Sequence, residues 1–347
     1  MKRIGFLSCY SVLNEKNRLF TDRNSLIGDD LHLPFVRLRE ACSDLAIEVE
    51  TVTSSNIDIF DGYFLIDIPE SYKKSKPIMK ILESSKPKYL LLLECKHIMP
   101  TGYDVSIHEG FSKVFTWDEE LITKDPTKYV KINGSHDLPV QIDLDILSRQ
   151  KKISMITGNK CSTDKFELYS KRKEVISFYQ AKGSGLDLFG LGWDGRCFNS
   201  KFISRVSNRI PLLKKIFYEV PAMYKGSVER KRPVLEKYQF SICFENRYGD
   251  YGYITEKIFD AMLSGSIPIY LGAVDISEHI PKECFIDMRQ FDSILDLDQY
   301  LFSLGDESIL EYQRSISSFL NSKQSKAFSI DVFVQTLLEN IPSESVI

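Results

Sequence analysis

The residue types best suited to chemistry lie between two apolar runs in the C-terminal half of the chain. The runs cover 240–244 and 267–271, and an amphipathic stretch beginning at Thr255 precedes the second run. This order predicts the strand, loop, helix and strand of a parallel α/β sheet. Ligands in such sheets bind at the carboxyl ends of strands, beside helix N-termini. The polar residues expected at this site for a phosphorylated ligand are Glu245, Asn246, Tyr253, Glu256 and Lys257.

The same segment resembles the donor-binding motif of the α-1,3-fucosyltransferases, glycosyltransferase family 10. The matching residues are Phe244-Glu245-Asn246, Tyr253, Thr255-Glu256-Lys257, Pro268-Ile269 and Gly272. The resemblance is clear over the C-terminal half and holds in outline over the N-terminal half. It implies transfer of L-fucose from GDP-β-L-fucose to a hydroxyl of a glycan acceptor, with an α-1,3-type linkage. It also implies an α/β fold of GT-B type, with two Rossmann-like domains facing across a cleft.

The resemblance suggests a role for each residue of this motif. Lys257 lies in the first turn of the predicted helix, where its charge and the helix N-terminus suit a diphosphate. The family counterpart of Glu256 binds ribose hydroxyls, and those of Asn246 and Tyr253 contact the nucleotide sugar. Glu245 either receives hydrogen bonds from the donor sugar or ties down the loop. Without the motif, Lys257 would be interpreted as an exposed helix lysine and Glu256 as an acid favoured by the helix dipole.

Arg172 is the second residue expected to bind the diphosphate. It lies in the segment SKRKEVISFY, early in a helix predicted over about 164–181. Fucosyltransferases have a donor-binding arginine in a similar position, which aligns with Arg172 better than with Lys171 or Lys173. The alternative is that these three residues are a basic triplet on the protein surface.

Glu94 is the candidate general base. It ends the apolar run KYLLLLE, which predicts a buried parallel strand, and so it lies at a carboxyl end. A carboxylate within reach can take a proton from an acceptor hydroxyl. The family has a catalytic glutamate after a comparable strand, usually in a more polar sequence than the one here. His97, His108 and Glu109 are the competing candidates.

The expected reaction is an inverting displacement in which Glu94 deprotonates the acceptor while Arg172 and Lys257 stabilise the departing diphosphate. No D-x-D motif adjoins the donor segment, so we expect no obligatory metal or other cofactor. The two D-x-D strings, at 143–145 and 296–298, lie in linker-like or helical contexts and are interpreted as chance matches.

Composition limits the class of protein. The chain has 347 residues, is 43% hydrophobic and carries a formal net charge of −3. This balance argues against a general nucleic-acid binder. The seven cysteines are scattered, which indicates reduced thiols rather than a disulfide framework. The N-terminus lacks a signal-peptide pattern and no run reaches a membrane span, so we expect a cytoplasmic protein. Because eukaryotic members of the family are usually anchored in the Golgi membrane, the resemblance then implies a bacterial member.

The alternation of strand-like and helix-like segments predicts three parts. Residues 1–145 form a Rossmann-like acceptor-binding domain, 151–325 a Rossmann-like domain for the GDP-sugar donor, and 326–347 a C-terminal helix that returns to the first domain by analogy with related folds. Between 201 and 232 the chain has nine basic residues and two acidic ones. This stretch is either a solvated helix or a surface for anionic lipid head groups or a phosphate-bearing acceptor.

Three other functions remain open at this point. The first keeps the fold but uses another GDP-linked deoxysugar or mannose-like donor, with a bacterial surface polysaccharide or lipopolysaccharide as the acceptor in either case. The second is a sugar-nucleotide binder without catalytic activity. The third is a nucleic-acid binder that uses 201–232, which would leave the donor motif without a role.

Overall fold

The computed structural model describes residues 1–23, 29–145, 148–195 and 219–341. The chain divides into two compact units. The first contains Met1–Leu138, Tyr251–Ile254 and Ser325–Ile347, and the second contains Pro139–Asp250 and Thr255–Gln324. This division differs from the predicted boundary, because residues 139–145 belong to the second unit and Tyr251–Ile254 to the first. Most of the basic stretch, 201–218, lies outside the described residues, so its membrane contact stays a prediction.

The first unit has a parallel sheet with the strand order β2-β1-β3-β4-β5-β6 in the part of the chain that the structure describes. Every residue of β3 and β4 is buried, as expected for central parallel strands covered on both faces. The strands are β1 Lys2–Ser8, β2 Ile47–Thr51, β3 Gly62–Ile66, β4 Lys88–Leu92, β5 Lys113–Thr116 and β6 Tyr129–Lys131. The helices are α1 Ser11–Asn14, α2 Arg18–Thr21, α3 Leu33–Asp44, α4 Lys76–Glu83, α5 Val105–His108 and α6 Glu119–Lys124.

The second unit has a second parallel sheet, with the order β11-β10-β9-β7-β8 over its described residues. All residues of β9 are buried. The strands are β7 Gln150–Ile156, β8 Leu186–Phe189, β9 Tyr238–Phe244, β10 Ile267–Leu271 and β11 Ile286–Asp287. The helices are α7 Tyr169–Lys182, α8 Arg232–Leu235, α9 Glu256–Leu263, α10 Ile276–His279, α11 Ile294–Ser303 and α12 Asp306–Leu320.

The last helix, α13 Ile330–Asn340, packs on α3 in the first unit. Phe333 meets Phe35 edge to face, with ring centroids 5.6 Å apart. Ile330, Val334 and Leu337 join the same buried cluster as residues of β1 and β3. Among the described residues, no helix is both long enough and apolar enough to cross a membrane.

The prediction for α7 was wrong at its start. We expected the helix from about Asp164, but it begins at Tyr169. Residues 164–168 instead pair with the chain after β9: Leu168 N donates to Asn246 O at 3.1 Å, and Glu167 forms an antiparallel bridge with Arg247. Asp164 also accepts a hydrogen bond from Phe166 N at 2.7 Å, which stabilises a local turn that competes with the helix.

Gly190, at the carboxyl end of β8, allows a close approach of two loops. Its φ is +121°, and a Cβ there would lie 2.1 Å from Thr157 O. We expect Gly190→Ala to lower the free energy of unfolding by about 3 kcal/mol, because either the backbone or the neighbouring loop must move. Denaturant unfolding of the variant measures this loss.

Gly183→Ala is the matched control for that variant. Gly183 also has a positive φ, +77°, but a Cβ there would meet no atom within 4 Å. Only the left-handed backbone penalty applies, so about 1 kcal/mol should be lost. Equal losses in the two variants would contradict the steric argument for Gly190.

Candidate functional site

Glu245 is the centre of the site in the second unit. It follows β9 directly and is fully buried. Its Oε1 accepts a hydrogen bond from Thr255 N at 2.9 Å, and its Oε2 accepts from Thr255 Oγ1 at 2.7 Å and from Lys257 Nζ at 3.0 Å. A Cβ at Gly272 would lie 2.4 Å from Glu245 Cγ, which explains the glycine after β10. In this structure Glu245 fixes the start of α9, which is one of the two roles that the sequence left open.

Lys257 lies in the first turn of α9, with its side chain 23% exposed. Burial lowers its pKa, but the charges of Glu245 and Glu256 outweigh burial and leave the pKa raised, so the ammonium is charged at neutral pH. Its Nζ donates hydrogen bonds to Glu245 Oε2 and to Thr255 Oγ1, the latter at 2.8 Å. The Thr255 side chain does not cap α9, and the Glu256 carboxylate accepts a hydrogen bond from its own main-chain amide at the start of the helix.

Glu256 belongs to a chain of alternating charges around the same turn. Its Oε1 lies 3.6 Å from Lys257 Nζ and 3.5 Å from Lys231 Nζ. Burial raises the pKa of Glu256, but these two cations prevail and lower it to about 2. Glu256 is therefore ionised at neutral pH and can accept hydrogen bonds from hydroxyl groups.

Lys231 is a residue of this site that the sequence analysis missed. Its Nζ lies 2.6 Å from Asp260 Oδ2, and its side chain is 14% exposed. Burial lowers its pKa, but Asp260 and Glu256 more than compensate, so the pKa is raised. In the sequence, Lys231 is only one of the nine basic residues between 201 and 232. No spacing in the sequence marks it, because its partners lie 25 and 29 residues further along the chain.

Arg172 is on the first turn of α7 and is 5% exposed. Its Nη2 donates to Phe244 O at 2.6 Å and to Glu245 O at 2.7 Å, while Nη1 donates to Thr157 Oγ1 at 3.1 Å. Asn246 Oδ1 also accepts from Nη2, at 3.3 Å. The structure therefore brings Arg172, Asn246, Glu245 and Lys257 together at the carboxyl end of β9.

Arg172 and Lys257 are close enough for the arginine charge to act on the lysine. The charge of Arg172 lowers the pKa of Lys257, against the stronger effect of the two glutamates. Two like charges on mostly buried side chains repel each other in a medium of low dielectric constant. A bound diphosphate would relieve that repulsion and add charge-assisted hydrogen bonds.

Tyr253 belongs to the first unit, whereas Arg172, Glu245, Asn246 and Lys257 belong to the second. It is 2% exposed and lies in the first unit, in a buried cluster with Cys95 and Trp117. The ring centroids of Tyr253 and Trp117 are 4.7 Å apart. The burial of this side chain indicates a packing role in the structure as it stands.

Glu94 lies two residues after β4 in the first unit and is half-buried. Its Oε1 accepts a hydrogen bond from Tyr10 Oη at 2.7 Å, and its carbonyl oxygen accepts one from Tyr103 Oη at 2.7 Å. Its main-chain N–H donates to Asp67 Oδ1 at 3.2 Å. The carboxylate is thus held on a strand end, where a ligand can reach it.

The competing candidates for the base differ from Glu94 in their surroundings. His108 is 1% exposed, and its ring nitrogens lie 3.0 Å from Tyr129 Oη and 2.7 Å from Gly102 O. Burial lowers the pKa of His108, so it is a neutral structural residue. Glu109 is exposed on the surface, and His97 is half-buried.

The D-x-D strings have other roles. Asp298 is bound by Lys182 Nζ at 2.5 Å, and Asp296 accepts a hydrogen bond from Ser293 at the start of α11. Asp143 Oδ1 accepts from the main chain of Asp145. In the ranges that the structure describes, no group of three or more His, Cys, Asp or Glu side chains is arranged to hold a metal ion.

Solved structures with the same architecture define the class of fold. An α-1,3-fucosyltransferase crystallised with GDP-fucose superimposes with a TM-score of 0.54 at 12% identity, over 100% of this chain and 93% of that one. Anabaena HepE in complex with UDP-glucose gives a TM-score of 0.57 at 11% identity, over 98% and 99%. The two parallel-sheet units therefore have the GT-B glycosyltransferase fold.

Sequence comparison relates the C-terminal half of the chain to a known family. Residues 159–322 match the family described as glycosyltransferase family 10 (fucosyltransferase), C-terminal. The α-(1,3)-fucosyltransferase FucT of Helicobacter pylori is 34% identical over 126 residues, which are 33% of this chain and 25% of that protein. The α-(1,4)-fucosyltransferase of Arabidopsis thaliana is 34% identical over 111 residues, 31% of this chain and 27% of that protein. Residues 159–322 are therefore similar to the C-terminal part of this family, and the matched segments span about a quarter of the length of each of these two relatives.

Proposed function

We propose that the protein transfers L-fucose from GDP-β-L-fucose to a glycan hydroxyl, with inversion at the anomeric carbon and an α-1,3-type linkage. The observation that carries the proposal is the convergence of two cations, Arg172 and Lys257, on the carboxyl end of β9 beside the N-terminus of α9. Parallel α/β sheets bind phosphate groups at this kind of position. Two relatives with fucosyltransferase names support the choice of sugar.

In the proposed reaction, the residues of the second unit bind the donor. Lys257, the first-turn amides of α9 and Arg172 take the diphosphate oxygens, and the ionised Glu256 accepts hydrogen bonds from ribose hydroxyls. Asn246 lies beside the Arg172 guanidinium and contacts the nucleotide sugar. As the bond from the anomeric carbon to the phosphate oxygen breaks, its electron pair stays on the diphosphate. The cations stabilise that developing charge.

Glu94 is the proposed general base for the acceptor. The acceptor O–H bond breaks, its proton moves to the Glu94 carboxylate, and the oxygen forms the new bond to the anomeric carbon. A β-linked donor thereby gives an α-linked product. The acceptor class that we propose is a glycan of the bacterial surface, such as a lipopolysaccharide or another polysaccharide.

The direct test is incubation of the purified protein with GDP-fucose and a panel of N-acetyllactosamine-type and O-antigen-type acceptors. Mass spectrometry detects a product one deoxyhexose heavier, and NMR gives its linkage. GDP-mannose, and GDP-deoxysugars other than GDP-fucose, are tested in parallel as competing donors. Binding of GDP without any transfer across the panel would favour a catalytically inactive binding protein instead.

We further propose that no divalent metal is required, because the proposed diphosphate site already contains two protein cations, Arg172 and Lys257. Treatment with EDTA followed by gel filtration should leave the rate of transfer within about twofold of the untreated rate. Readdition of Mg²⁺ or Mn²⁺ serves as the control. A rate that falls at least tenfold with EDTA and recovers with metal would contradict this proposal.

A further inference from the structure

A buried carboxylate beside Glu94 has no role in the reaction described above. Asp67 follows β3 directly and is 2% exposed. Its Oδ1 accepts hydrogen bonds from Leu93 N at 3.0 Å and from Glu94 N at 3.2 Å. The Asp67 main-chain N–H donates in turn to Leu91 O on β4 at 2.9 Å. Hydrogen bonds therefore join Asp67 to the segment that contains Glu94, the candidate base.

Two features make Asp67 an unfavourable residue for stability alone. Its φ is +56°, a left-handed conformation that is uncommon outside glycine, although aspartate adopts it more readily than most other residues. In the part of the chain that the structure describes, no lysine, arginine or histidine forms an ion pair with it. A buried carboxylate without a cation is destabilising unless it becomes protonated. Strain and uncompensated charge at one residue are more typical of functional positions than of packing.

Three titratable side chains lie close enough to Asp67 to interact with its charge. Cys9 and Tyr10 face it from the end of β1 and the start of α1, and Glu94 faces it from the end of β4. Burial, together with the charges of Asp67 and Glu94, raises the pKa of both Cys9 and Tyr10, so both stay neutral between pH 5 and pH 9. Burial and the charge of Glu94 raise the pKa of Asp67 to about 7.

We propose that Asp67 is a positioning residue for Glu94: its Oδ1 fixes the Leu93 and Glu94 amides, and its negative charge favours proton transfer from the acceptor hydroxyl to the Glu94 carboxylate. This inference rests on the proposed function, in which Glu94 is the base. Asp67 touches no reactant. The acceptor proton ends on Glu94, and the repulsion between the two carboxylates falls when it does. Pairs of carboxylates in different surroundings divide acid–base roles in this way in other enzymes.

Asp67→Asn tests the charge separately from the hydrogen bonds, because an asparagine Oδ1 still accepts from both amides. With GDP-fucose and an accepted glycan, the wild-type kcat should keep rising as Asp67 ionises through about pH 7. The variant should lack this rise, so that its kcat is about tenfold lower at pH 8, with the difference narrowing towards pH 6. The KM for GDP-fucose should not change. Asp67→Ala loses charge and hydrogen bonds together and should be impaired at every pH.

A second measurement does not depend on activity. In protein with ¹³C-labelled aspartate, the Asp67 carboxyl should titrate near pH 7 and shift to lower pH in Glu94→Gln, because the neighbouring charge is gone. Transfer by the wild type together with an unchanged pH profile in Asp67→Asn would overturn the role of Asp67 alone. If the pKa of the Asp67 carboxyl were the same in Glu94→Gln as in the wild type, the role of Asp67 would also be overturned, even if Asp67→Asn failed to fold. Absence of transfer by the wild type, with the titrations still coupled, would overturn the proposed function.

Discussion

Glu94→Gln is expected to reduce fucose transfer by about a thousandfold while leaving GDP binding intact. General bases contribute roughly 10²- to 10⁴-fold to a rate, and an amide does not take up the acceptor proton. Tyr10 can still donate to the glutamine Oε1, and Asp67 can still accept from its main chain, so the local structure should persist. Single-turnover kinetics with saturating GDP-fucose measures the loss, and calorimetry with GDP measures binding.

Glu109→Gln is the matched control, since Glu109 is an exposed glutamate of the same unit and was a competing candidate for the base. It should transfer fucose at a rate within about twofold of the wild type. If Glu94→Gln also kept its turnover, Glu94 would be removed from the mechanism. Loss of GDP binding along with activity would indicate misfolding rather than a lost base.

Lys257→Met should weaken GDP binding by about 10- to 100-fold, because methionine keeps the length of the side chain but not its charge. Charge-assisted hydrogen bonds contribute about 1.5–3 kcal/mol. The same change leaves Glu245 buried with its Thr255 hydrogen bonds but without its cation, so the free energy of unfolding should fall by about 3 kcal/mol. Calorimetry and denaturant unfolding measure the two effects separately.

A double variant separates binding from stability. Glu245→Gln combined with Lys257→Met removes the uncompensated charge, so it should recover part of the lost stability without recovering GDP affinity. Lys282→Met, at an exposed lysine of the same unit, is the control and should change neither quantity. Recovery of GDP affinity in the double variant would show that Lys257 acts through stability rather than through phosphate contact.

Much of the fold could be predicted from local patterns. The continuous apolar run around β4 and the alternation of strands and helices correctly predicted two parallel α/β units, and the donor motif correctly predicted the family. These features follow from short-range rules of periodicity and capping. The C-terminal helix was predicted for the same reason, and α13 lies within the predicted range 326–347.

The features that escaped prediction all depend on contacts between distant segments. Lys231 joins the site through Asp260, which no spacing rule connects to it. The start of α7 was wrong because residues 164–168 pair with the chain after β9. In the sequence, Asp67 is an ordinary polar residue after a strand. Only the structure shows that the main-chain amides of Leu93 and Glu94 both donate hydrogen bonds to its carboxylate.

The segment order of the first unit has a consequence for biosynthesis. Its core needs α13, whose side chains pack on α3 nearly three hundred residues earlier in the chain. In a growing polypeptide, the part of α3 that α13 covers therefore lacks its partner until translation has passed Asn340. The second unit, which holds the donor motif, has by then been synthesised completely. Chaperone dependence during translation should consequently be concentrated on the N-terminal sheet, although that sheet emerges first.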